Sequence, residues 1–331
     1  MLSITRKLVT GMILGLVVIA VFLVTMTARA QQLTADSPGN AAAAPAASAP
    51  LPALPAAYVP ASQIVRYSNP NKLFLRSSVA LIMDEREGVI LHGRNIDRPR
   101  PIASLTKLMT ALVILDTRLP LDDTIEITRA DRDRLRGTKS RLHYGTVLTR
   151  HDALLVALAA SDNRAAAALA RTYPHGRTAM IAAMNGMAKK LGMTTSRFAD
   201  ASGLHSGNVA SARDLAKLIA ATRDYPLIRM MSTNRSFRVT DWQTGLEIAF
   251  RNTNSLVWKD YWSIELSKTG YTADAGNCLL MRATIANRPL VIVLLNSWGK
   301  LSKYGDSNRI RKWLLGTERK IQTLRNTAAS T

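Results

Sequence analysis

The apolar residues of this chain change their spacing twice, and that double switch restricts the folds open to it more than any other feature. Val79 to Asp84 and Val89 to His92 are short apolar runs on either side of Glu85-Arg86-Glu87-Gly88, the pattern of a β-hairpin. Pro99 and Pro101 break the chain, and from Ser104 to Asp116 the residues Leu105, Leu108, Met109, Leu112 and Leu115 recur at helical spacing. Polar sequence runs to Arg150. Alanine-rich stretches from Asp152 to Ala160 and from Arg164 to Arg171, a third from Thr178 to Leu191, and Asp214 to Thr222 then read as helices. From Ser236 the texture returns to β, with strands expected at 237–240, 246–250, 263–266, 279–285 and 290–295 before a last helix at 308–315. A chain of this kind is predicted to be mixed α/β. Its two ends meet in one antiparallel sheet flanked by helices, and its middle forms a helical lobe. Ligand sites commonly lie between two such lobes.

Ahead of this region, Arg6 and Lys7 precede an apolar run from Leu8 to Val24, and Ala28-Arg29-Ala30 offers small residues for a cut before Gln31. Residues 1–30 therefore read as a cleaved signal peptide or a retained signal anchor, which puts the folded part outside the cytoplasm, in the periplasm. Residues 31–64 are rich in Ala and Pro and read as a disordered tether. The catalytic domain is expected over 65–316 and a basic tail over 317–331. The balance of 44 Lys and Arg against 23 Asp and Glu, a net +21, points to an anionic partner. Export turns that expectation away from nucleic acid and towards anionic lipid headgroups or an envelope polymer. From Lys300 to Arg325 there are eight Lys or Arg and two Asp or Glu, read either as a peripheral docking surface or as a solvated helix face over the sheet. Cys278 is the single cysteine, which excludes an intrachain disulfide, and it reads as a small buried hydrophobe. The five histidines show no metal-binding spacing, so neither a metal nor another cofactor is expected. The five tryptophans read as core.

Three short motifs carry the chemistry: Ser104-Leu105-Thr106-Lys107, Ser161-Asp162-Asn163 and Lys268-Thr269-Gly270. Ser104 and Lys107 are three residues apart at a helix start and share a face. A serine hydroxyl needs a base, and a lysine serves only as the neutral amine, which burial and a neighbouring positive charge from Lys268 favour. Ser161 is suited to relay a proton to a leaving amine, and the Asn163 amide to hold both substrate backbone and Lys107. Taken alone, Ser161 would be read as the cap of the helix that follows. Lys268 and Thr269 suit a substrate carboxylate. Gly270 leaves room for a ligand backbone along a strand edge, and the N–H groups of Tyr271 and Ser104 are candidates for receiving an oxyanion. A second Ser-x-x-Lys, Ser297-Trp298-Gly299-Lys300, follows a strand in a loop-like segment, with nothing to hold its two side chains on one face.

Each triplet alone is weak, but together and in this order they are the signature shared by class A β-lactamases and penicillin-binding proteins. The chain resembles the low-molecular-mass penicillin-binding proteins, the serine D,D-peptidases, and within them the D-alanyl-D-alanine endopeptidase subgroup. The likeness runs from about Val65 to Leu315. It includes Pro101-Ile102-Ala103, the stretch Phe198-Ala199-Asp200-Ala201-Ser202-Gly203-Leu204, Arg251-Asn252-Thr253-Asn254 and Ala275-Gly276-Asn277-Cys278. The resemblance implies a β-lactamase/D,D-peptidase-like fold and an acyl-enzyme formed when Ser104 attacks a D-alanyl carbonyl. It also implies peptidoglycan stem peptides and crosslinks as substrates, and β-lactams as covalent inhibitors. The stretch after Gly270 is too short for the further β-rich domain and amphipathic anchor common in family carboxypeptidases, which favours the endopeptidase, with carboxypeptidase activity as the alternative. A class A β-lactamase would need a Glu-x-x-Leu-Asn loop to activate the deacylating water, and the sequence holds none. A catalytically idle wall-binding module is disfavoured by the intact polar set, and a DNA-binding role by export.

Overall fold

The computed structural model describes residues 58–329. The apolar run from Leu8 to Val24, the candidate cut at Ala28-Arg29-Ala30 and the Ala/Pro-rich stretch up to residue 57 lie outside the described residues. The last part of the stretch read as a tether is described, and it is ordered into the fold. Val59 and Ile64 are bulky residues hidden by an Ala/Pro-rich average. They are buried as the chain enters helix α1 (Ala61–Tyr67).

Strands β1 (Ser77–Asp84) and β2 (Ile90–Arg94) form the expected hairpin. Next come β3 (Arg100–Pro101) and a single 3-10 turn at Ala103–Leu105, which opens into α2 (Thr106–Asp116). Every α2 residue from Thr106 to Ile114 is buried, as befits a helix surrounded by others. A polar segment carries β4 (Thr124–Glu126) and β5 (Val147–Thr149), which pair with each other. Helices α3 (Arg150–Ala159), α4 (Asn163–Arg171) and α5 (Gly176–Lys190) follow, then β6 (Val209–Ala210) and α6 (Ala212–Ala221). Helix α7 (Pro226–Thr233) was not anticipated: at eight residues, with Pro226 at its first position, it is too short for its period to stand out.

The expected run of strands divides. β7 (Ser236–Thr240) and β8 (Glu247–Arg251) pair only with each other, whereas β9 (Ser263–Thr272), β10 (Gly276–Ile285) and β11 (Arg288–Ser297) join the first hairpin in a five-stranded antiparallel sheet ordered β2-β1-β11-β10-β9. Both ends of the fold thus meet where β1 pairs β11. The two-residue turn between β10 and β11 places Ala286 and Asn287 at φ 53° and 58°, the double left-handed geometry of tight hairpins. Alternation assigns the two faces. Val79, Leu81, Cys278, Leu280 and Val293 pack towards the helical lobe, while Ala80, Ile82, Leu279, Met281 and Ile292 pack with Ile64 of α1 and with the last helix, α8 (Ser302–Ala329).

The sequence pattern placed α8 only over 308–315. It begins earlier because Asp306, in its first turns, accepts from Ser77 and from the backbone N–H of Arg76, and it continues because Ile321 is buried and Glu318 bonds Arg288. The residues read as a tail from 317 onward therefore begin as part of this helix. No helix among the described residues is long and apolar enough to cross a membrane. Of the tryptophans, Trp262 and Trp313 are buried, but Trp242 and Trp298 stand 65% and 82% exposed, contrary to the expectation that all five are core. Both lie in turns, where no sheet or helix face covers them.

Candidate active site

The three motifs converge from three elements. Ser104 sits in the 3-10 turn that opens α2, and Lys107 lies one turn further on the same face. Ser161 comes from the short link between α3 and α4, and Asn163 is the first residue of α4. Asp162, not Ser161, caps α4, accepting from the N–H groups of Arg164 and Ala165. Ser161 is freed from capping and adopts a left-handed φ of 60°.

Lys268, Thr269 and Gly270 lie inside β9 rather than at its end. The apolar pattern stops at Leu266, but the strand stays paired with β10 through Thr272, its polar side chains being those of an edge strand beside the cleft. Gly270 keeps the approach to the Ser104 turn close: a Cβ would stand 3.0 Å from the Ile102 oxygen and 3.1 Å from the Ser104 nitrogen, so the turn would have to give way to it.

The amine of Lys107 is buried and holds three neutral acceptors: Ser104 Oγ at 2.9 Å, Asn163 Oδ1 at 2.6 Å and the Ser202 carbonyl at 2.7 Å. Burial pushes its pKa down to about 8, opposed by the more distant carboxylates of Asp200, Asp162 and Asp133. Lys268 is equally buried and donates to Ser161 Oγ at 2.7 Å and to the Thr269 carbonyl at 3.0 Å. Burial, and then the charge of Lys107, hold its amine well below the ordinary lysine range. A hydroxyl, an amine within proton-transfer reach, and a second amine joined to a second hydroxyl make a set suited to nucleophilic acyl transfer.

These groups open on a cleft of about 760 Å³ that also exposes Thr253, Tyr271, Asn277, Lys300, Lys303 and Tyr304. Thr253 and Thr269 share a hydrogen bond of 2.6 Å between their hydroxyls. All eight sequence-predicted residues, Ser104, Lys107, Ser161, Asn163, Lys268, Thr269, Gly270 and Tyr271, thus gather at one place. The second Ser-x-x-Lys is separated: Ser297 is the buried last residue of β11, hydrogen-bonded to Ser77, while Lys300 reaches the cleft.

Asn163 was expected to hold Lys107 and does, but sequence reasoning assigned no role to the other residues that aim that amine. The Asp200 carboxylate accepts from the N–H of Ser202 at 2.6 Å and of His205 at 2.6 Å, and so presents the Ser202 carbonyl to the lysine. Asp-x-Ser-Gly is a recognisable turn signal, though its partner is invisible without the fold. Gly203, at φ +86°, crosses so close that a Cβ would fall 1.9 Å from the Ala103 oxygen. That contact presses the Asp200 loop against the Ser104 turn, where Ala103 itself holds a left-handed φ of 47°. Thr138 accepts from the Asn163 amide at 2.9 Å and fixes its oxygen towards Lys107. Cys278 is fully buried on β10, paired with Gly270 of β9, and burial raises its thiol to about 11, so it is no nucleophile.

Residues 66–299 match the model of the D-alanyl-D-alanine carboxypeptidase family of peptidases. The chain is 45% identical over 240 residues to a D-alanyl-D-alanine endopeptidase of Pseudomonas aeruginosa, covering 72% of this chain and 77% of that one. It is 44% identical over the same length and shares to a D-alanyl-D-alanine endopeptidase of Escherichia coli. Among solved structures it is similar to a mutant of the Streptomyces K15 DD-transpeptidase, with a TM-score of 0.67 and 25% identity, covering 73% of this chain and 99% of that one.

Proposed function

The chain belongs to the D-alanyl-D-alanine carboxypeptidase family and is a serine D,D-peptidase; we propose that it works through an acyl-enzyme on Ser104 and that its preferred bond is the D-alanyl crosslink between two peptidoglycan stem peptides. The observation that carries the nucleophile is the Lys107 amine, poised 2.9 Å from Ser104 Oγ with its pKa lowered to about 8.

As a neutral base Lys107 takes the Ser104 proton while Oγ bonds to the D-alanyl carbonyl carbon. The N–H groups of Ser104 and Tyr271 receive the oxygen charge that develops. Ser161, linked to Lys268, passes a proton to the departing nitrogen as the C–N bond breaks. Asn163 keeps Lys107 and the substrate backbone in register. Lys268 and Thr269 hold a carboxylate beside the leaving amine, and Gly270 lets the acyl strand lie along the β9 edge. Water then hydrolyses the ester, Lys107 again serving as base.

Preference for crosslinks is supported by the endopeptidase activity named for the Pseudomonas aeruginosa and Escherichia coli relatives. Penicillin would acylate Ser104 in the substrate's place. The N-terminal sequence and the cell-wall relatives support a periplasmic site of action. The basic surface supports peripheral contact with membrane or an anionic polymer.

The test is intact mass after incubation with penicillin, for the full chain and for Ser104→Ala, followed by digestion of purified crosslinked wall. A stable adduct on the unaltered chain alone, with crosslinked dimers falling to monomers, is the expected result. An adduct that survives Ser104→Ala would overturn the nucleophile. Dimers left intact while pentapeptides are trimmed would replace the endopeptidase with a carboxypeptidase.

A further inference from the structure

Four lysines face or border the cleft, and the reaction uses only two of them. Lys107 and Lys268 belong to the catalytic set. Lys300 and Lys303 come from the turn and first helical residues after β11, and both line the same cavity. Lys303 is only 5% exposed, yet its amine meets two neutral oxygens, Asn277 Oδ1 at 3.3 Å and the Lys300 carbonyl at 3.2 Å, and the face of the Tyr304 ring, 5.0 Å from its centroid, and no ion pair among the described residues includes it. Burying an ammonium without an anion is costly, and proteins keep such groups mainly where something else supplies the charge. Lys300 lies exposed beside it, and none of the described residues lining the cavity is Asp or Glu. Burial lowers the Lys303 pKa, Cys278 opposes that shift and the charge of Lys300 adds to it, so a carboxylate arriving beside the amine would restore its charged form.

The register of the sheet says which part of a substrate would meet them. Asn277, the partner of Lys303, pairs across the strands with Tyr271. Tyr271 follows the Lys268-Thr269-Gly270 triplet, so the two lysines stand past the scissile carbonyl, on the side where the acyl strand runs away from Lys268 along β9. A strand laid on an edge points alternate side chains to opposite faces. On the face of Tyr271 and Asn277 the cavity offers the Lys303 and Lys300 amines and the ring of Tyr304.

From this geometry we infer that Lys300 and Lys303 form a carboxylate-binding subsite for a side chain of the acyl-donor stem peptide, so that the enzyme selects stems whose diamino acid ends in a carboxylate over those whose diamino acid ends in an amine alone. This rests on the D,D-peptidase reading of the same cleft and adds to it the chemistry of the substrate.

The test compares two synthetic peptides ending in D-Ala-D-Ala that differ only in whether the side chain of the preceding diamino acid ends in a free carboxylate or in its amide. The readout is the ratio of their kcat/KM values in the full chain, in Lys300→Gln and in Lys303→Met. The full chain is expected to prefer the carboxylate about 10- to 100-fold, the range for hydrogen bonds to a charged group. Both variants should bring that ratio close to one, and Lys300→Arg should keep it. Lys300 is exposed, so its variant remains informative if Lys303→Met fails to fold. A full chain that does not distinguish the peptides, or variants that keep the preference, would overturn the subsite while leaving the peptidase reading intact. Absence of turnover of both peptides, with no acyl-enzyme on Ser104, would overturn that reading and the subsite with it.

Discussion

Two buried cation sites divide the molecule, and the contrast between them separates what holds the fold from what performs the chemistry. On the back of the sheet Arg288 is fully buried and fully answered. It bonds the carboxylate of Asp84, the carbonyl of Val59, the Tyr58 hydroxyl at 2.7 Å and Glu318 Oε1 at 3.2 Å, and its guanidinium lies 4.4 Å from the centroid of the Tyr58 ring. These contacts tie the start of the described chain to β1, β11 and α8. On the front of the sheet Lys107 and Lys268 are as deeply buried, but their partners are hydroxyls, an amide and carbonyls, with no carboxylate in contact. A paired cation keeps its proton and fixes geometry. A buried amine left among neutral acceptors has its pKa lowered towards neutrality and becomes a base.

The sharpest break of the comparison is Lys107→Met. Removing the base should slow acylation by penicillin at least about 1,000-fold, within the range for a lost general base. In the unaltered chain the acylation rate should rise with pH through about 8, as Lys107 becomes neutral, and level off above it. The same group shapes stability. Its folded pKa lies below the ordinary 10.5, so below about pH 8 both states carry the proton and the burial cost is present in full. Between about 8 and 10.5 the unfolded chain binds a proton that the folded chain does not, and the unfolding free energy climbs with pH. Urea midpoints measured across that window should climb less steeply in Lys107→Met. An equal climb in the variant would mean that Lys107 is not buried as a neutral amine.

Arg288→Met should reverse the pattern. It leaves Asp84 buried with the Tyr58 hydroxyl and the N–H groups of Arg86 and Glu87 as its remaining donors, and the expected cost is about 3–5 kcal/mol, read from denaturant unfolding. At a temperature where the variant stays folded, penicillin acylation should match the unaltered chain. A variant that kept its stability but lost acylation would dissolve the distinction between the two sites.

These two sites were unequally legible in the sequence. Ser104 and Lys107 share a face because three residues of helix put them there, and Ser161 and Asn163 needed only a break between two alanine-rich helices, so local rules were enough. Lys268 was found by its triplet, although β9 was drawn too short because its apolar pattern ends at Leu266 while its backbone pairing does not. Ser202, Thr138, Thr253 and Lys303 were not assigned to the site. Each reaches the cleft through a contact distant in sequence, such as the 95 residues between Lys107 and Ser202, and no periodicity encodes such a meeting. Arg288 was equally hidden: an arginine at the start of an apolar strand says nothing of the carboxylates 204 residues before it and 30 after it.

The smallest effect comes from the second Ser-x-x-Lys, and it tests whether motif or environment makes the nucleophile. Ser297 is buried on β11 with its hydroxyl 2.7 Å from Ser77 Oγ, and Ser77 keeps a separate acceptor in Asp306. Ser297→Ala therefore orphans no donor and should cost about 1 kcal/mol, the net worth of one neutral hydrogen bond. Acylation by penicillin should be unchanged, since Lys300 lies in the turn beyond the strand end while Lys107 is locked one helical turn from Ser104. Loss of the adduct in Ser297→Ala would move the nucleophile from the Ser104 turn onto β11, two strands across from Tyr271, and undo the assignment of the whole cleft.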